Sequence, residues 1–211
     1  MAFPVTHVYF AERIKLDSYK AIKGTLVNDI GYLLPIQREN THTFFSDSVC
    51  SKELDRMKEA LSEVETPDRD FYRGYFFHMY VDRLLRQEIF VVSESKHIGL
   101  IIRCVQEQYF INQYQDFDHI LEKLRRRLTT QFFIPQWKMR VHYSFLRFYF
   151  KASHKIFWLV LLFGVTGKVK PWELSSFVRE LKRVEDEVIH QTQKVGKQKL
   201  MQFHEAISVK R

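Results

Sequence analysis

The chain has 211 residues, with 33 Lys and Arg against 25 Asp and Glu for a formal net charge of +8; 45% of its residues are hydrophobic and 27% are charged. Those proportions describe an ordinary globular chain, long enough for one domain with a substantial core, and its two cysteines exclude a disulfide framework. The basic balance attracts phosphate-bearing partners but does not choose among nucleic acid, an anionic membrane surface and a small phosphoester.

Only 7 Gly and 5 Pro punctuate the sequence, so long helices are favoured, and 19 Phe, 10 Tyr and 3 Trp can fill a core without many β-branched strands. A first helix is expected after Thr6, with His7 in its opening turn. A second starts at the N-cap candidates Asp17 and Ser18 and runs toward Asn28. Residues 29–51 read as a long irregular stretch, a length that in a compact domain is functional or disordered; Phe44 and Phe45 beside His42 argue for order. A helix resumes near Lys52. The next begins at Thr66-Pro67, with Asp68 and Asp70 in its first turn, and continues to about Phe90.

Further helices are expected over 96–110, 116–132, 139–163 and 171–193, and Glu88–Val92 is the only weak strand candidate. The fold class is therefore all-α, with the whole of 1–211 as one multi-helix bundle. The apolar run Ile156–Val165 falls short of the ~20 residues that a spanning helix needs. It reads as a core helix, with the flanking Lys151, Lys155, Lys168 and Lys170 keeping a membrane-touching surface as the alternative. The run Arg125-Arg126-Arg127 reads first as a solvated basic face and second as a binding patch. No basic segment followed by an apolar one opens the sequence, which sets the expectation of a cytoplasmic protein.

His78 and Asp82 carry the first chemical signal. At i and i+4 on a helix they share one face, so an imidazole and a carboxylate can reach the same ion; alone, the pair reads as a structural hydrogen bond. Asp29 at a helix end and His42 in the irregular stretch can converge on that pair as a mixed nitrogen and oxygen set. Zinc accepts such a set, and manganese or iron is not excluded by ligand type.

The segments Thr6-His7, Gly24-Thr25-Leu26-Val27-Asn28-Asp29-Ile30, Arg38-Glu39-Asn40-Thr41-His42 and Gly74-Tyr75-Phe76-Phe77-His78-Met79-Tyr80-Val81-Asp82 occur in the order of the corresponding motifs of the zinc-dependent phospholipase C family. The chain resembles that family over roughly its first ninety residues. The resemblance implies the helical fold shared with the fungal single-strand nucleases. It further implies a first metal among Asp29, His42, His78 and Asp82, with Asp82 bridging to a second metal that His7 helps to bind. Asn28 replaces the family's usual Pro, the chain opens Met-Ala-Phe-Pro where secreted members present a Trp amine, and no His-x-x-x-Glu pair follows Asp82 to complete a third site.

The expected function is a metal-dependent phosphoester hydrolase, phospholipase C-like, holding one or two zinc ions. Hydroxide from a water acidified by the ion would be the nucleophile, Asp29 the catalytic proton acceptor, and Arg38 or Arg83 the phosphate partner. The substrate is a phosphoester, with phospholipid among the candidates. The alternatives are a non-catalytic helical protein retaining a structural metal site and, more weakly, a protein that binds or cleaves nucleic acid.

Overall fold

The computed structural model describes residues 3–32, 50–130, 132–165, 167–195 and 197–207. Among these residues the structure is all-α, with no strand. His42 and Arg38 lie outside the described residues, as does most of the long irregular stretch.

Helix α1, Pro4–Arg13, opens with a proline at a position where the missing N–H costs nothing. It starts two residues before Thr6 because its capping acceptors come from a distant side chain, described below. Helix α2, Tyr19–Val27, is capped as its sequence predicts: the Ser18 hydroxyl accepts from the Ala21 N–H at 3.2 Å. A 3-10 turn, Asn28–Tyr32, follows directly and carries Asp29. Helix α3 spans Cys50–Glu63 and α4 spans Thr66–Glu88, so the expected break at Thr66-Pro67 is present, with Glu65 as the capping residue in place of Thr66.

Helix α5 is Ile98–Ile111 and α6 is Asp118–Arg125. The expected helix over 116–132 therefore ends early. The reason is tertiary: the Lys23 ammonium donates to the Arg126 carbonyl, and the chain leaves Arg126 extended. The expected 139–163 helix divides into α7, Gln136–Lys151, and α8, Lys155–Val165, about an extended Ala152. A short 3-10 turn, Pro171–Glu173, leads into α9, Leu174–Lys194. A last helix that the pattern did not announce, α10, covers Lys197–Ile207. Of the strand candidate Glu88–Val92, Glu88 closes α4, and the residues after it bond side chains of α9: the Gln191 amide donates to the Phe90 carbonyl at 2.8 Å and accepts from its N–H at 2.7 Å, and the Arg183 guanidinium donates to the Val92 carbonyl at 3.0 Å.

The centre of the fold is the contact of α2 with α4, the most extensive between any two helices. Two glycines make it. A Cβ built on Gly24 would lie 1.9 Å from the Phe71 carbonyl oxygen, and one on Gly74 would lie 1.9 Å from that of Ala21. The two backbones therefore touch, which only residues without a side chain allow. Every residue of α2 from Ala21 to Val27 is buried, as are His78 and Asp82 on α4. Helix α8 is buried on one side only. Phe163 stacks on Phe3 at 5.6 Å, whereas Phe157, Leu161 and Val165 are 61%, 45% and 79% exposed. No helix among the described residues is long and apolar enough to cross a membrane.

Candidate metal centre

Three elements converge on one buried cluster. Helix α1 brings His7, the turn after α2 brings Asp29, and α4 brings His78 and Asp82. The four side chains are 0–4% exposed. His7 and His78 lie ring on ring, with centroids 3.7 Å apart.

Each side chain is held from outside the cluster. The N-terminal N–H groups of α1 would be orphaned, and the Glu107 carboxylate on α5 receives them: Val5 N and Thr6 N each donate to it at 2.9 Å, as does the Thr6 hydroxyl. The Tyr149 hydroxyl donates to the same carboxylate at 2.6 Å. Glu107 is thus a capping residue supplied from a hundred positions away, and it sets the height at which His7 enters the core. Its burial pushes its pKa up while its donors oppose that shift. The turn bearing Asp29 is tied to α4 by the Asn28 amide, which donates to the Tyr75 carbonyl at 3.0 Å. His78 Nδ1 lies 2.8 Å from the Thr25 carbonyl. A carbonyl can only accept, so Nδ1 carries the proton, and in the neutral ring Nε2 is left as an acceptor.

The atoms that face one another are then mostly acceptors. His78 Nε2 is 3.9 Å from Asp29 Oδ1 and 3.7 Å from Asp82 Oδ2. His7 Nε2 is 3.2 Å from Asp82 Oδ1, and His7 Nδ1 is 3.7 Å from Asp29 Oδ2. His7 Nδ1 and both oxygens of Asp29 are buried and find no hydrogen-bond partner among the described residues. Separations of 3.7–3.9 Å are too long for hydrogen bonds, and a buried carboxylate with no donor is costly. Donor atoms bound about 2.0–2.2 Å from a common ion sit at comparable spacing, and His7, Asp29 and His78 each offer one such atom within 4.8 Å of the others.

The remaining contacts have the form that supports a metal ligand. A histidine that binds through one nitrogen gives its other N–H to a carbonyl or carboxylate, as His78 does to Thr25 and His7 to Asp82. The two carboxyls are driven apart in acidity. Burial, and then the charges of Asp82 and Glu107, hold Asp29 well above the usual carboxylate range. Burial works against ionisation of Asp82 too, but the imidazoles of His78 and His7 beside it help to hold it well below that range.

The structure brings together His7, Asp29, His78 and Asp82 of the expected set. It places His7 in the same cluster as Asp29 and His78, where the family pattern gave it only to a second ion. His97, His119 and His142 are engaged elsewhere, with Glu173, Glu12 and the Leu26 carbonyl. Sequence reading missed two groups that act on the centre. Glu107 had no local signal, because the helix it caps is a hundred residues distant. Arg103, four residues before it on α5, exerts its charge on both Asp29 and Lys168, and Lys168 is lowered to about 8 by burial and by Arg103.

The fold and the cluster define a class: an all-helical protein with a buried carboxylate and imidazole set spaced for a cation. Comparison with protein-family models, with curated proteins and with solved structures gave no match.

Proposed function

We propose that the protein is a metal-dependent phosphoester hydrolase, resembling the zinc-dependent phospholipases C. The observation that carries this reading is the acceptor-rich cluster of His7, Asp29, His78 and Asp82, whose buried Asp29 oxygens have no donor among the described residues. His7, Asp29 and His78 hold the ion, with zinc favoured by the resemblance and manganese or iron also compatible with these donors; Asp82 braces His7, and His42 is the further ligand that the sequence pattern supplies. When bound, such an ion supplies Lewis acidity to a water and to a phosphoryl oxygen.

The chain's own groups then have assigned tasks. Asp29 would accept the proton of the attacking water, a role its carboxylate serves in the ionised form. Arg103 and Lys168, whose charges act at the Asp29 side, stabilise the phosphate oxygens as negative charge builds on them. A phospholipid is the favoured phosphoester, because Phe157, Leu161 and Val165 form an exposed stripe at i, i+4 and i+8 on α8. Lys151, Lys168 and Lys170, all exposed, flank that stripe with charge suited to anionic headgroups. The same helix packs on the start of α1 through Phe163 and Phe3.

A second reading has its own observation. Side chains only 0–4% exposed suit a structural ion, closed to water and substrate. One experiment separates the readings: metal content per chain, thermal stability, and hydrolysis of bis(4-nitrophenyl) phosphate and of phosphatidylcholine vesicles, for wild type and His78→Ala. Hydrolysis that disappears together with the metal establishes the hydrolase. Bound metal without turnover, with stability lost in His78→Ala, establishes the structural site. A wild-type chain that takes up no zinc, manganese or iron on dialysis defeats both.

A further inference from the structure

Away from the metal cluster, α2, α6 and α7 border an open cavity of about 550 Å³. Among the described residues six cations line it, Lys23, Arg125, Arg126, Arg127, Arg140 and Arg147, and no carboxylate does. The surrounding sequence carries the same bias, because between Glu122 and Glu173 there is no acidic residue and there are eleven Lys and Arg. Of the six, Arg126 pairs with Glu122 at 2.9 Å, while Arg125, Arg127 and Arg140 have no ion pair among the described residues.

Three features distinguish this cavity from a solvated basic face. First, it is concave, with a volume inside the range of small-molecule sites. Second, Lys23 is only 3% exposed, with its ammonium on the Arg126 carbonyl and 4.9 Å from the Tyr143 ring centroid. Burial, and then the Arg147 charge, bring it down to about 8, so the fold holds an ammonium where its neighbours disfavour one. Third, the Arg147 guanidinium is braced by the Ser144 hydroxyl at 3.0 Å, and Gln136 in the first turn of α7 adds the positive end of a 16-residue helix.

We propose that this cavity is a second ligand site, separate from the metal centre, which binds a small molecule carrying two or more phosphate groups. A single phosphate would neutralise a minor part of six cations and fill a minor part of the space. Arginine forks take phosphate oxygens in pairs, so clustered phosphomonoesters or a phosphoanhydride chain match both the charge and the volume. The source is either a soluble polyphosphorylated metabolite or the headgroup of a multiply phosphorylated lipid; the recognised chemistry is the same.

The test is calorimetric titration of the full chain with inorganic tripolyphosphate and with inositol hexakisphosphate at physiological ionic strength. Wild type is compared with Arg140→Ser/Arg147→Ser and with Lys182→Ser/Lys194→Ser, which removes two exposed cations outside the cavity. The expected result is binding that weakens at least about tenfold in the cavity variant and is unchanged in the control, as the loss of charge-assisted contacts requires. Arg127→Ser, at an exposed position, gives the same answer should the double variant not fold. Sedimentation with vesicles containing a bisphosphorylated phosphoinositide assigns the source: loss of binding in the cavity variant identifies a headgroup, and its persistence a soluble ligand. Absence of binding to both probes overturns the proposal, as does equal weakening in the control. Affinity that rises with the length of a single-stranded oligonucleotide and exceeds that for tripolyphosphate overturns it in favour of nucleic acid. His78→Ala leaves tripolyphosphate binding intact, so the proposal and the hydrolase reading fail independently.

Discussion

Gly74→Ala adds one methyl group at the point where α2 and α4 touch. The new Cβ would lie 1.9 Å from the Ala21 carbonyl oxygen and 2.8 Å from the Thr25 nitrogen. A carbon and a carbonyl oxygen rest no closer than about 3.3 Å, so the helices must separate locally by about 1.4 Å. Overpacking of this kind costs about 3 kcal/mol. The movement also stretches the 2.8 Å bond from His78 Nδ1 to the Thr25 carbonyl, whose loss in the core costs about 1–3 kcal/mol more. Alanine's better helix propensity returns about 1 kcal/mol. The net expectation is a destabilisation of about 3–5 kcal/mol, which at this chain length lowers the melting temperature by on the order of 10 °C. Denaturant titration with metal content measured on the same samples checks it, because the two sides of the cluster ride on these two helices. A Gly74→Ala protein with wild-type stability and wild-type metal content would refute the claim that this crossing positions the centre.

Three further outcomes are expected. His142, 1% exposed with Nε2 on the Leu26 carbonyl at 2.8 Å, has its pKa lowered by burial from 6.5 to about 4. The unfolded chain then binds the proton that the folded chain refuses, so stability present above pH 6.5 is lost as pH falls toward 4, by about 3 kcal/mol from this residue. Denaturation of wild type and His142→Phe at both ends of that window should show profiles that converge at acid pH; parallel profiles would contradict the assignment. Glu107→Ala strands the Val5 and Thr6 N–H groups and the Thr6 and Tyr149 hydroxyls, at a cost of about 3–5 kcal/mol. Hydrogen exchange at Val5 and Thr6 should accelerate and bound metal should fall, and unchanged protection at both amides would count against the distant cap. Cys104 is fully buried, with its thiol pushed up to about 12, first by burial and then by Glu107. Peptide mapping after iodoacetamide should find it unmodified in the native chain and alkylated after unfolding.

The sequence by itself determined the helical class and the starts of several helices, because those signals are local. Ser18 caps α2 from within its own turn, and Pro67 sets the first turn of α4 wherever the helix goes. Half of the candidate centre was legible for the same reason, since His78 and Asp82 share a helix face by spacing alone. His7 and Asp29 were found through the order of short motifs, and their distances from that pair could not be read from any spacing. The remainder required the tertiary structure. Glu107 caps a helix a hundred residues earlier, Lys23 ends α6 by taking the Arg126 carbonyl, and Gly24 and Gly74 act only because each meets the other helix's backbone. The acid-free stretch from Lys123 to Trp172 was visible as charge, but whether charge forms a face or a cavity depends on how α2, α6 and α7 pack. Local sequence fixes dihedral preference and periodicity. Which side chains meet across the core is decided by the packing of helices against one another, and in this chain that packing depends on two glycines and one buried glutamate.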